Sequence, residues 1–291
     1  MIQPVLMGEA FLADVETAGR EGRACGAFHL WWLGQAGFLV QWNERHLLID
    51  PYLSDSLTKK YAATDKPHIR MTSLIIAPER LNFINLVTSS HNHTDHLDRE
   101  TLKPLMSVNP GLKLVIPEAN RDFVAERLDC DPAWPLGLDD GQRIEVDGWE
   151  ITGVASAHEE LERDEKGRCR FLGYIFRFGE WTIFHCGDSV RYAGMAERIL
   201  ELAAPGGIDV ALLPINGRAP ERRVPGNLCG PEAARLAKDI GARAVIPMHY
   251  EMFTFNTASP AAFIAEAEKI GQPYRVLRCG ERWRGVHLGA Q

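Results

Sequence analysis

Five of the chain's ten histidines follow apolar runs, where an imidazole could ligate a metal ion, and three of them fall in one short string. That string, His91-Asn92-His93-Thr94-Asp95-His96, follows directly on the apolar stretch Ile84-Asn85-Leu86-Val87-Thr88. Imidazole and carboxylate are the groups that hold Zn²⁺, Mn²⁺ or Fe²⁺. A strand that ends just before such a cluster presents it on a loop, where catalytic groups concentrate. In an extended run, residues two apart point the same way, so His91 and His93 are expected to grip one ion together. Asp95 and His96, past the bend, then reach a second. Asp98 as N-cap and Glu100 in the first turn predict a helix immediately afterwards. The string reads as a metal site on a strand-to-helix loop.

HNHTDH matches the signature H-x-H-x-D-H, and through it the chain resembles the metallo-β-lactamase superfamily. The rest of that pattern recurs in order, each time at the end of an apolar run. Ile151 to Ser156 leads to Ala157-His158, and Trp181-Thr182-Ile183-Phe184-His185-Cys186-Gly187 leads to Asp188. Ala244 to Met248 leads to His249, and His46-Leu47-Leu48-Ile49 leads to Asp50-Pro51. The resemblance covers roughly residues 28 to 287 and implies an α/β fold, a four-layer αββα sandwich. It implies one ion on His91, His93 and His158, a second on Asp95, His96 and His249, and Asp188 bridging them. A bridging carboxylate holds two ions about 3.5–4 Å apart, and a water shared between them loses its proton near neutral pH. The implied nucleophile is that metal-bridging hydroxide, which Asp95 could orient, while Asp50 is expected behind the ligands, fixing their loop. The di-iron oxygen and nitric oxide reductases of this fold carry glutamate where this chain has His93, and they need a flavin domain. The family's nucleases usually carry a large inserted domain, and 291 residues leave little room for it.

The opening WWLGQAGFLV and LLIDPYLSDS, with SSHNHTDHLD, is most similar to the branch that contains L-ascorbate-6-phosphate lactonase. That likeness implies opening of a lactone or ester in a small anionic substrate, such as a phosphorylated sugar acid. Asn216, Arg218, Arg222, Arg223 and Asn227 follow an apolar run; arginine forks and amides there suit phosphate or carboxylate recognition. Tyr250, next to His249, is expected at the pocket, and Lys59, Lys60 and Arg70 are further candidates to meet an anion. The same ions would serve phosphodiester cleavage of a cyclic nucleotide, a short RNA or a lipid head group, so that chemistry stays open. A non-catalytic, metal-bound sensor is the reading from a different class; the complete ligand set argues against it.

Hydrophobic residues are 45% and charged residues 24%, ordinary globular values. Net charge is −7, which disfavours a sequence-independent grip on nucleic acid, so the expected partner is a small anion. No apolar run approaches the ~18 residues of a membrane helix, and no signal-peptide pattern opens the chain. With six scattered cysteines and no CxxC spacing, reduced thiols and a cytoplasmic location are expected. Residues 1–26 read as an N-terminal extension, in which a helix from Ala10 to Val15 is broken by Gly19, Gly22 and Gly26; it is one place where a homo-oligomer could join. Residues 27–291 read as the hydrolase domain. Strands are predicted from Phe28 to Leu33, Phe38 to Trp42, up to Asp50, and late at Arg275 to Leu277, and the 52–78 stretch reads as a long functional loop. The charged segment 159–170 reads as a hairpin tip that could cover the site. His185, Trp31 and Trp32 are expected in the core.

Overall fold

The computed structural model describes residues 1–285, so His287 and the last residues of the expected 27–291 domain lie outside the described residues, as do the side chains of residues 23–25. The first half runs α1 (Gly8–Cys25), β1 (Phe28–Gly34), β2 (Gly37–Trp42), β3 (Arg45–Ile49), α2 (Ser56–Tyr61), β4 (Leu86–Thr88), α3 (Arg99–Val108), β5 (Lys113–Pro117), α4 (Arg121–Leu128) and β6 (Leu136–Leu138). The second runs β7 (Arg143–Val146), β8 (Trp149–Ala155), β9 (Leu172–Phe178), β10 (Trp181–His185), α5 (Met195–Ala203), β11 (Val210–Pro214), α6 (Gly230–Asp239), β12 (Ala244–Met248), α7 (Ala261–Ile270) and β13 (Arg282–Gly285).

These strands make a seven-stranded sheet, β13-β1-β2-β3-β4-β5-β6, and a six-stranded sheet, β12-β11-β10-β9-β8-β7. The sheets face each other through aromatic side chains: Phe28 meets Phe178 and Trp181 edge-on, and Trp42 meets Trp149. Helices cover the outer faces, giving a four-layer αββα sandwich. All seven residues of β1 are buried, as a strand covered on both faces requires.

The pairing pattern decides where the chemistry goes. β1–β2 and β2–β3 are antiparallel, while β3–β4 is parallel. In the other sheet β8–β9 and β9–β10 are antiparallel, while β10–β11 and β11–β12 are parallel. Consequently β1, β3 and β4 share one direction within their sheet, and β8, β10, β11 and β12 share one in theirs. Each of the motif residues named above lies just past the C-terminal end of one of these strands.

Asp98 caps α3 as expected, accepting a hydrogen bond from the Glu100 amide. Three expectations need correction. Helix α1 runs through Gly19 and Gly22 and stops only at Gly26, in a left-handed conformation. The two internal glycines let the helix approach the sheet: a Cβ on Gly19 would sit 3.1 Å from Gln41, and one on Gly22 3.3 Å from the Ala27 carbonyl. Phe11, Val15 and Ala18 of this helix are buried in the main core. The predicted strand at Arg275–Leu277 is extended chain joined to β12 at Val245 only; the strand that closes the first sheet is β13, paired with β1. The 52–78 loop contains α2, and α5 buries Met195, Ile199 and Ala203 at helical spacing.

Phe28 is fully buried and makes edge-on contacts with Phe178, Trp181 and Trp283. Phe28→Ala is therefore expected to destabilise the fold by about 3–5 kcal/mol, read from urea unfolding midpoints at unchanged m-value.

Candidate metal centre

The string does not continue β4 as an extended run. After Thr88 the backbone bends, and the amides of His96 and Leu97 both donate to the His93 carbonyl, at 3.0 and 2.8 Å. The turn serves the same end as the expected alternation. It packs the His91 and His93 rings edge to face at 4.6 Å and carries Asp95 and His96 to the other side of the site. Three sets of ligand atoms result, each within 4.8 Å: His91, His93 and His158; His91, His96 and Asp188; Asp95, His96 and His249.

Asp188 lies between the sets. Its Oδ2 is 3.2 Å from His249 Nε2, 3.4 Å from His96 Nε2 and 3.7 Å from His158 Nε2. The backbone before it is tightly cut. Gly187 has φ +61°, and a Cβ there would fall 2.9 Å from both the Leu172 carbonyl and Ser90 Cβ, so only glycine fits.

Hydrogen bonds from behind orient the imidazoles. Asp50 Oδ2 takes the Nδ1 proton of His96 at 2.7 Å, and the Gly226 carbonyl takes that of His158 at 2.9 Å. Ser90 Oγ bonds Asp50 and lies 3.0 Å from His91 Nδ1. Each ring thereby turns its Nε2 inwards, which is how metal-binding histidines are held. The Nε2 atoms of His91 and His96 and the Oδ1 of Asp188 are buried with no hydrogen-bond partner. Buried polar atoms are rarely left so, and His91, His96 and Asp188 offer ligand atoms within 4.8 Å of one another, which fits a bound cation.

The electrostatics agree. Burial drives His91, His93 and His158 below the usual histidine range, so they stand neutral and ready to donate a lone pair. Burial opposes charge on His96 and His249 too, but Asp188 and Asp95 overcome it. His249 is raised to about 9 and His96 well above its ordinary value. Despite burial, the imidazolium partners hold Asp95 and Asp188 well below the usual carboxylate range. Without an ion the site fills its negative hole with protons; a divalent ion would replace them.

One important contact was not anticipated. Gln35, in the turn between β1 and β2, is fully buried at φ +51°. Its Nε2 donates to Asp95 Oδ2 at 2.7 Å and lies 3.1 Å from His249 Nε2. The signal was available: a lone amide at the end of an apolar strand, the position every other site residue occupies. His185 faces the core, as expected, and its Nε2 meets the Ala36 carbonyl at 3.0 Å, holding the Gln35 turn from beneath.

The site opens into a cavity of about 260 Å³, lined by His93, Asp95, His158, Asp188 and His249. The expected anion-binding arginines do not line it. Arg218 makes a two-pronged pair with Glu232, Arg223 pairs with Asp65, and Arg222 donates to the carbonyls of Asn216 and Thr257. Asn216 and Asn227 bond each other, and Tyr250 is buried against Trp32 with its hydroxyl on the Leu277 carbonyl. Local acids, amides and carbonyls engage each of these side chains, and of their polar atoms Asn227 Oδ1 is left buried without a partner. Lys59 and Arg70 are likewise paired, with Glu100 and Asp55. Lys60 does border the cavity, and Arg127 joins it from α4. No residue of 159–170 lines the cavity; Arg168 ties that segment to Glu118 instead.

Residues 29–249 match the family described as beta-lactamase superfamily domain. The chain belongs to the metallo-β-lactamase superfamily. It is 30% identical over 232 residues to a UPF0173 metal-dependent hydrolase of Pyrococcus furiosus, covering 79% of this chain and 88% of that one. It is 27% identical over 248 residues to the mitochondrial N-acyl-phosphatidylethanolamine-hydrolyzing phospholipase D of Saccharomyces cerevisiae, covering 81% of this chain but 50% of that protein. Among solved structures, a metallo hydrolase from Ignicoccus hospitalis superposes with a TM-score of 0.63 at 25% identity, over 89% of this chain and 99% of that one. The protein is a metal-dependent hydrolase of this fold.

Two predictions follow from the site's geometry. Gln35→Leu and Asp50→Ala are each expected to weaken metal binding by about 10–100-fold, measured by chelator competition, with circular dichroism as the folding control. Because an ion must displace the protons of His96 and His249, affinity should rise with pH through the neutral range by about tenfold per unit for each proton released. An affinity that is flat between about pH 6 and pH 9 would show that neither histidine holds a proton there for an ion to displace.

Proposed function

We propose that the protein hydrolyses a lactone or ester in a small anionic substrate, with one ion on His91, His93 and His158 and another on Asp95, His96 and His249. The observation that carries this reading is Asp188 Oδ2, within 3.7 Å of a nitrogen from each set, the position a bridging carboxylate needs. Bound Zn²⁺, Mn²⁺ or Fe²⁺ would make water nucleophilic near neutral pH and stabilise the oxyanion of the attacked carbonyl.

The chain's own residues do the rest. Asp95 borders the cavity with one oxygen held by Gln35, so the carboxylate is fixed where it can orient the attacking water. Asp50 and Ser90 keep the His96 and His91 rings from turning. Lys60 and Arg127 supply positive charge at the cavity edge for a phosphate or carboxylate. A phosphorylated sugar-acid lactone of the L-ascorbate 6-phosphate kind satisfies these demands. Phosphodiester cleavage is the second reading, favoured by the likeness to a phospholipase D. The expected setting is cytoplasmic; no helix among the described residues is long and apolar enough to cross a membrane.

The direct test is turnover of L-ascorbate 6-phosphate, with L-ascorbate and bis(p-nitrophenyl) phosphate as comparisons, after reconstitution with Mn²⁺ and then Zn²⁺. Metal-dependent opening of the phosphorylated lactone alone supports the reading; turnover of the diester alone transfers it to phosphodiesters. Asp188→Ala is expected to lower kcat/KM by about 10²-fold or more and to reduce the bound metal. Undiminished activity would rule out the bridging role.

A further inference from the structure

Apart from the main core, Tyr52, Leu57, Met252 and Phe253 form a second apolar cluster, with Tyr61 and Phe255 packed on it. It is built from two stretches far apart in sequence. Main-chain bonds Met71 to Met252 at 2.8 Å and Thr254 to Ile69 at 3.1 Å stitch them together, and Thr72 Oγ1 donates to the Glu251 carbonyl at 2.6 Å. Arg70 braces the seam, paired with Asp55 and bonded to the carbonyls of Ser54 and Thr72. This bracing is more than a connector needs.

The seam turns its rings towards the metal centre. Tyr61 and His68 stack at 4.2 Å with 17° between their planes. His68 meets Phe253 and Phe255 edge-on at 5.2 and 4.5 Å. All four rings line the cavity that holds His93, Asp95, His158, Asp188 and His249. Tyr61, His68 and Phe255 keep part of their surface open, as a surface awaiting a partner would. Lys60 adjoins the wall, 5.1 Å from the Tyr61 ring centre. Arg127 spends Nη1 on the carbonyls of Asn92 and Leu97, and a guanidinium has further donors for a ligand.

We propose that Tyr61, His68, Phe253 and Phe255 form a stacking subsite that selects substrates with a flat or apolar group beside the scissile bond, while Lys60 and Arg127 take the adjoining negative charge. The inference rests on the hydrolase reading of the same site and narrows its substrates to planar rings carrying an anion. A planar lactone ring with a phosphate arm meets both demands, as does an aryl phosphate ester. A polar, non-planar anion meets only one.

The test is binding of phenyl phosphate against methyl phosphate to the metal-reconstituted protein by calorimetry, which needs no turnover. Phenyl phosphate is expected to bind about tenfold more tightly, as one face-on ring contact provides. Phe255→Ala and Tyr61→Ala, both on partly open rings, should remove the preference and leave methyl phosphate binding unchanged. Lys60→Met should weaken both ligands several-fold. Equal affinity for the two phosphates in the parent protein, or a preference that survives both ring variants, would overturn the proposal. A phenyl preference in a protein that hydrolyses nothing would sustain the subsite and defeat the hydrolase reading.

Discussion

Two carboxylates with little access to water, Asp95 and Asp188, stand against each other across His96 and His249, and the rest of the molecule is arranged around that concentration of charge. Bringing like charges out of water together is costly unless a cation or protons compensate them. Protons on His96 and His249 can supply that compensation, as can a cation, and the neutral His91 turns an unpartnered Nε2 into the same site. Asp50, Ser90, Gln35 and the Gly226 carbonyl hold His96, His91, Asp95 and His158 in place. A site supported this way is preorganised: little has to move when an ion arrives.

That support depends on strand direction more than on any one loop. Gln35, Asp50, the histidine string, His158, Asp188 and His249 each follow the C-terminal end of a strand, three strands from one sheet and three from the other. Facing the sheets across a dry core of Phe28, Trp42, Trp149 and Phe178 brings the two sets of strand ends to one rim. Neither half assembles the site alone: His91 and His93 come from the first and His158 from the second, yet the three ligand atoms lie within 4.8 Å. Folding and site formation are thus coupled, since loss of the inter-sheet packing would separate the ligands.

Substrate recognition shows a different logic. The arginine-rich 216–227 segment looked suited to an anion, but its charges are spent on Glu232, Asp65 and nearby carbonyls. An arginine near a carboxylate of its own chain finds a partner at lower entropic cost than one waiting for a ligand. The 52–78 stretch, which reads as mostly polar, instead turns Tyr61 and His68 towards the cavity beside Phe253 and Phe255. Tyr61 and His68 share no spacing with Phe253 and Phe255, because the two pairs come from stretches far apart in the chain that meet only after folding.

Residue type and local periodicity determined the histidine string, the strand ends leading to His158, Asp188 and His249, and the Asp98 cap, while the αββα layering was implied by the resemblance those residues carry. These are short-range facts: a strand end, a cap and an apolar run are set by neighbours within a few residues. Tertiary structure decided what depends on distance across the fold. It set the bend that replaces an extended His91-to-His93 run, the reach of Gln35 to Asp95, and the length of α1, whose Gly19 and Gly22 look like breaks until Gln41 and Ala27 are packed against them. It also chose β13 over Arg275–Leu277 as the partner of β1. A sequence records which side chains could bear charge or bury a ring; which partner claims each of them is settled by competition among groups brought together only when the two sheets close.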